Sequence, residues 1–305
     1  MLSVNRTSIF AIIWLLLLAG TFTVNAGDSV ANAGAPDAKP TFGVFTHPQP
    51  VAIEGYSRDA MEPFISPDGN YLFFNNSNSA PVTDLYYATA VDETGLTFQF
   101  QGEIGGLNSG TLTAVPSMDV NQTFYFISDR SYMETLSTVF FATFSNGSVS
   151  GVAVVPGISK QQAGWVNFDA CISPDGSTLY FVDSFFGTAG QPQNASIAIA
   201  TRDGDHFVRL KNSADIMRKI NTHGLNYAAD ISKSGLEFFF TRFSGTLPAI
   251  YTATRANTSK PFGEPVKIKA ITGFAEAPAL SPDEKSLYYH KDVNGTFVIY
   301  RVMRP

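Results

Sequence analysis

The chain has 305 residues, 20 basic and 26 acidic side chains, and a formal charge of −6. That balance excludes the basic face that meets nucleic-acid phosphates, and a charged fraction of 15% with 13% aromatics excludes a disordered chain. A single cysteine excludes an internal disulfide and any multi-cysteine zinc or iron–sulfur centre.

Arg6 precedes an apolar run of 11 residues, Ile9 to Ala19, too short to span a bilayer comfortably. Val24 and Ala26 stand at −3 and −1 of a cut before Gly27. The pattern predicts a signal peptide over residues 1–26 and export to the periplasm or beyond, with an uncleaved anchor as the alternative. Residues 27–40 are small, polar and proline-containing, and predict a flexible leader. No later run reaches 18 apolar residues, so no membrane span is expected.

A repeat organises residues 41–305. Ser66-Pro67-Asp68-Gly69, Ser173-Pro174-Asp175-Gly176 and Ser281-Pro282-Asp283-Glu284 are one motif. Ser232-Lys233-Ser234-Gly235 and Asp119-Val120-Asn121-Gln122 are degenerate copies, giving a period of about 54 residues. Proline pre-sets φ, aspartate bonds its own backbone and glycine accepts positive φ, so each copy predicts a hairpin turn rather than a catalytic serine. Aromatic and β-branched runs follow each turn, from Tyr71-Leu72-Phe73-Phe74 to Leu287-Tyr288-Tyr289, and predict strands. Third strands begin near Leu85, Val139, Ile197, Ile250 and Ile299, and weaker fourth strands follow in the first four units. Helical periodicity is missing apart from a turn near Ala214 to Lys219. Five four-stranded units predict an all-β propeller, with five blades preferred over six. The last unit carries only three strands, and Pro50-Val51-Ala52-Ile53 echoes Pro265-Val266-Lys267-Ile268. The N-terminal segment is therefore expected to complete the last blade and close the ring.

Glu62-Pro63-Phe64-Ile65-Ser66-Pro67-Asp68-Gly69 with Tyr71-Leu72-Phe73-Phe74 resembles the TolB-like (WD-like) β-propeller repeat of bacterial envelope proteins. Phe126-Ile127-Ser128-Asp129-Arg130, Ala228-Ala229-Asp230-Ile231-Ser232 and Pro261-Phe262-Gly263-Glu264-Pro265 add to the likeness, which covers about residues 42 to 305. Units two and four depart from the pattern by losing the Pro-Asp of the turn. The resemblance implies the fold and an extracytoplasmic setting. It spans scaffolds, peptidase-fused modules and polysaccharide lyases, and transfers no catalytic residue. In a bacterium the six Asn-x-Ser/Thr triplets beyond the expected signal peptide, at Asn75, Asn121, Asn146, Asn194, Asn257 and Asn294, carry no meaning; in a eukaryote they would accept glycans.

A propeller binds ligands near its axis, where residues of the innermost strands and their entering loops from different blades can meet. Those positions hold Asp59, Glu62, Asp169, His223 and Glu276 as candidate acid, base or catalytic groups, and Arg58, Trp165, Asn167, Asn226 and Tyr227 as candidate ligand contacts. Glu62 and Asp169 occupy equivalent places, four before the first residue of their turn, and Glu276 is offset by one. Arg130 and Arg242, after the second strands of units two and four, are expected on the loop face, where they could hold a carboxylate or phosphate or pair with nearby acids. Carboxyls brought close have their pKa values driven apart, which suits work on a glycosidic bond. The same groups equally suit a water-filled channel in which they only satisfy one another. His223 is the one histidine expected near the axis, too few for a metal site, and no cofactor motif is present. Cys171 is expected as a buried inert thiol, and Phe185 and Phe186 as either a surface patch or a lid.

Two functions follow, with a small-molecule lyase or isomerase as a third. One is a monomeric extracytoplasmic propeller that binds or scaffolds a protein, small-molecule or glycan partner at its axial face. The other is a glycoside hydrolase or lyase using inner-strand carboxylates.

Overall fold

A computed structural model describes residues 42–78, 83–186 and 192–305. The expected signal peptide and leader lie outside the described residues. Alternating apolar runs between turn motifs form five sheets around one axis, each led by a buried inner strand. Blade one comprises β3 (Met61–Ile65), β4 (Tyr71–Asn75), β5 (Leu85–Ala90) and β6 (Thr97–Glu103). Blade two comprises β7 (Thr113–Met118), β8 (Thr123–Ser128), β9 (Val139–Ser145) and β10 (Ser148–Val154). Blade three comprises β11 (Trp165–Ile172), β12 (Thr178–Phe185), β13 (Ser196–Asp203) and β14 (His206–Arg209). Blade four comprises β15 (Leu225–Ile231), β16 (Glu237–Phe243), β17 (Pro248–Thr254) and β18 (Val266–Lys267). Blade five takes β19 (Ala275–Leu280), β20 (Ser286–Val293) and β21 (Thr296–Met303) from the end of the chain, and β1 (Thr46–Pro50) from its start.

The closing strand is therefore a few residues earlier than the Pro50–Ile53 echo implied. β1 pairs antiparallel with β21, Thr46 opposite Met303 and Pro50 opposite Tyr300. The echoing residues instead form β2 (Ala52–Glu54), which runs parallel to β6 and widens blade one to five strands. Two helical turns, α1 (Tyr132–Thr135) and α2 (Ser213–Ile216), are the helices among the described residues.

The turns show why their residues recur. In blade one Ser66 Oγ donates to Asp68 Oδ1 at 2.5 Å and accepts from Tyr71 N at 2.9 Å, while Asp68 Oδ1 accepts from Asn70 N. The Ser173 and Ser281 copies repeat this pattern. In blade two one carboxylate does both tasks: Asp119 Oδ1 accepts from Asn121 N and Thr123 N, so the shorter loop still closes. Gly69 and Gly176 sit at φ 77° and 74°, where glycine is the unstrained residue.

The core lies between blades. Five apolar clusters fill the five successive seams, with Phe73 against Phe124 at 5.1 Å, Tyr180 against Phe238 at 5.1 Å, and Phe45, ahead of β1, against Phe239 at 5.8 Å.

Candidate functional site

Every inner strand breaks register at the same place. The slips fall between Met61 and Phe64, Ala114 and Ser117, Phe168 and Cys171, Tyr227 and Asp230, and Glu276 and Ala279. The first extra residue of each bulge is left-handed: Glu62 (φ 50°), Val115 (55°), Asp169 (47°), Ala228 (47°) and Ala277 (57°). Each such residue costs on the order of 1 kcal/mol, and five in one register mark the bulge as a built feature of the repeat.

The bulge frees a backbone N–H from the ladder, and in four of the five blades the preceding blade supplies its acceptor. Val115 N donates to Asn75 Oδ1 at 3.2 Å, Ala277 N to Thr241 Oγ1 at 3.0 Å, and Glu62 N to His290 Nδ1 at 3.1 Å. Asn75, Thr241 and His290 hold the same position on their second strands, opposite the last paired residue before the slip. In blade three that position is Val182, which cannot accept. There the Asp169 carboxylate takes the Ala228 N–H at 2.9 Å.

These bulges bring acids of blades one, three and five into one cavity. Glu276 Oε1 accepts from the Tyr227 hydroxyl, and Glu276 Oε2 lies 3.2 Å from His290 Nε2. Because His290 Nδ1 accepts a backbone N–H, the ring proton resides on Nε2 and is donated to Glu276. Glu62 Oε1 accepts from Asn78 Nδ2 at 2.8 Å. The second oxygens of Glu62 and Asp169 make no hydrogen bond among the described residues, and both carboxyls line the cavity. The mouth offers about 40 Å³ to a water centre between the polar wall of Glu62, Asn78, Asp169, Tyr227 and Glu276 and apolar groups that include Phe168 and Leu225. A second space of about 30 Å³, lined by Asp230 and Cys171, shares Glu62, Val115 and Asp169 with it. Among the described residues no arginine or lysine lines either space.

Burial pushes the Glu62 carboxyl up to about 7, against His290 and the Asn78 hydrogen bond and with the neighbouring acids Asp169 and Glu276 adding to the rise. Burial also pushes Asp169 up to about 7, against the Ala228 N–H and with the charge of Glu276 adding to the rise. Burial and Glu276 hold the Tyr227 hydroxyl well above its ordinary range. In the second space, burial lifts Asp230 to about 6 although the Leu280 and Ile231 N–H groups oppose it. The wall thus presents two carboxyls that hold their protons to higher pH than ordinary carboxylates, beside Glu276, which accepts two hydrogen bonds.

Of the sequence candidates, Glu62, Asp169, Tyr227 and Glu276 come together. The others serve elsewhere. Asp59 Oδ1 accepts from Phe297 N at 2.8 Å, and Arg58 is exposed over the Tyr56 ring. Asn167 is buried and donates to Asp183, itself gripped by Arg209 through two contacts of 2.7 Å. Half-buried Trp165 lies beneath Lys160, whose ammonium is 3.1 Å from the ring centroid. Arg130 and Arg242 are not on an open loop face. Arg130 donates to Ser128 Oγ and Leu107 O and packs on Phe126, and Arg242 donates to Asn226 Oδ1 and Ile220 O and packs on Phe240. His223 is exposed ahead of β15, whereas the histidine at the axis is His290, on a second strand where inner-strand reasoning did not look. Cys171 is buried and donates to Asp230 Oδ1 at 3.3 Å. Phe186 is buried and Phe185 half-buried, the loop beyond them lying outside the described residues. Asn75 is fully buried, so its triplet is closed to a glycan, while the other five triplet asparagines are exposed.

Among the described residues no group of three or more His, Cys, Asp or Glu side chains is placed to hold a metal ion, and no helix is long and apolar enough to cross a membrane. No protein-family model matches the chain, and no curated protein resembles it in sequence. Solved structures share its fold. A glycoside hydrolase matches with a TM-score of 0.60 at 11% identity, over 88% of this chain and 92% of that one. The catalytic domain of a Coprinopsis cinerea GH62 α-L-arabinofuranosidase matches with a TM-score of 0.53 at 12% identity, over 86% of this chain and 96% of that one. TolB from Acinetobacter baumannii matches more loosely, with a TM-score of 0.45 at 16% identity, over 81% of this chain and 55% of that one. The likeness is one of fold.

Proposed function

We propose that the chain is a binding propeller whose ligand, of the glycan class, sits at the axial mouth. The carrying observation is the make-up of that wall: Glu62 and Asp169 can donate while they hold their protons, Glu276 and Asn78 can accept, and Phe168 and Leu225 offer an apolar surface. Hydroxyl-rich rings need donors and acceptors side by side together with an apolar face. The export predicted from the N-terminal residues fits such a role and is part of this proposal, as is a monomeric state.

A second reading has its own support. Two carboxyls that keep their protons to about pH 7 stand beside Glu276, so one cavity holds both a general acid and a base or nucleophile for glycoside hydrolysis. The likeness in fold to glycoside hydrolases accords with it.

Calorimetry with a panel of oligosaccharides, alongside an assay for new reducing ends, tests both. Binding that Asp169→Asn abolishes without lowering the melting temperature is the expected result. Release of reducing ends by the parent and not by this variant establishes the hydrolytic reading. Binding that survives both Asp169→Asn and Glu62→Gln places the ligand elsewhere and overturns the proposal.

A further inference from the structure

At the axial mouth three carboxyls meet with no arginine or lysine among the described lining residues. Glu62 from β3, Asp169 from β11 and Glu276 from β19 face one cavity, with Tyr227 from β15 and His290 from β20, whose Nδ1 accepts the Glu62 N–H, as further titratable groups against it, and with Asp230 and Cys171 lining the adjoining space beside Glu62 and Asp169. Glu62 and Asp169 are more than nine-tenths buried, and each keeps one oxygen without a hydrogen-bond partner among the described residues. The space is small. About 40 Å³ for a water centre admits a head group of a few heavy atoms, not a whole ring.

We propose that this mouth takes a protonated primary amine carried on a sugar-like ligand, the ammonium seated among Glu62, Asp169 and Glu276 and the ring outside. This rests on the glycan reading above and narrows it. An ammonium has three donors and no acceptor, which matches a wall of open carboxylate oxygens and no competing cation. Its arrival favours the ionised carboxyls, so a proton held by Glu62 or Asp169 is released to solvent on binding. Affinity then rises with pH while those groups are still protonated.

Three matched probes test this on the parent protein: methyl 6-amino-6-deoxyglucoside, methyl glucoside and methyl glucuronide, titrated calorimetrically at pH 5.5 and 7.5. The amino sugar is expected to bind about tenfold or more tighter than the neutral sugar at pH 7.5, and the uronate weakest. Its affinity should rise by up to about tenfold per pH unit for each proton released, with a heat that depends on the buffer's ionisation enthalpy. Equal binding of the amino and neutral sugars, or tightest binding of the uronate, overturns the inference and leaves the glycan reading standing. Binding of 1,4-diaminobutane with proton release, when none of the three glucosides binds, upholds the amine site and removes the glycan reading. Should none of the four probes bind, the amine inference is overturned.

Discussion

Burial lets Glu62 and Asp169 keep protons in the native state that the unfolded chain gives up at ordinary carboxylate pKa values. Between about pH 4 and 7 the native state therefore binds more protons than the unfolded state, and stability declines as pH rises through that window. A tenfold change in a carboxyl's proton affinity corresponds to about 1.4 kcal/mol, so a contribution on the order of a few kcal/mol is present below pH 4 and lost above pH 7. Glu62→Gln should flatten this part of the pH dependence of the melting temperature; an unchanged slope would show that the carboxyl titrates normally. The turns offer a second residue-scale test. Gly69→Ala and Gly176→Ala both place a Cβ at positive φ, which costs about 1 kcal/mol. At Gly176 the new Cβ also meets Asp119 Oδ2 at 2.6 Å, while at Gly69 nothing lies within 4 Å. Denaturant midpoints should thus rank Gly176→Ala below Gly69→Ala. The acids of the site were legible because inner-strand position alone nominates them. His290 was not, since only the bulge register reveals that a second-strand residue reaches the axis beside Glu276. The same bulge explains why Glu62 and Asp169, one position off from Glu276, still face the cavity it faces.

The seams between blades are stapled by a recurring arginine. Arg202, Arg255 and Arg304 each donate Nε to the carbonyl of the fourth turn residue, Gly176, Gly235 and Glu284, and reach the preceding blade at Tyr125, Tyr180 and Glu237. Arg255→Ala removes hydrogen bonds to Gly235 O, Thr258 O and the Tyr180 hydroxyl, and should cost about 2–3 kcal/mol. Arg304→Ala should cost more, about 3–5 kcal/mol, because it strands Glu237 in a pair whose side chains are 5% and 3% exposed. Thermal or denaturant unfolding of the two variants checks that order, and Arg255→Ala proving the more harmful would refute it. These staples are hidden in sequence: an arginine following a strand reads as an ordinary exposed charge, and its turn carbonyl becomes a partner only once the hairpin forms. The turns themselves were plain, because Ser-Pro-Asp-Gly carries its own hydrogen-bond logic.

At the scale of the whole molecule, five seams share the apolar core and one of them is closed by β1. Removing residues 42–50 exposes the edge of β21 and takes Phe45 from Phe239, so blade five and its seams should weaken together. A single unfolding transition at markedly lower temperature is expected; a melting temperature equal to that of the parent would mean that closure adds no stability. The count of blades followed from the repeat. The site of closure did not, because Pro50–Ile53 and Pro265–Ile268 share a local pattern, whereas pairing is decided by which strand lies within reach of β21.

The pairing of β1 with β21 also has a mechanical side. Thr46 lies opposite Met303, so the chain leaves the blade in both directions from the same end of that ladder. Tension applied between Phe42 and Pro305 would peel the two strands apart one hydrogen bond at a time instead of shearing all of them at once. The latch that seals the ring against heat is thus a zipper under load, and a pulling experiment should record it yielding first, at low force, before any blade unravels.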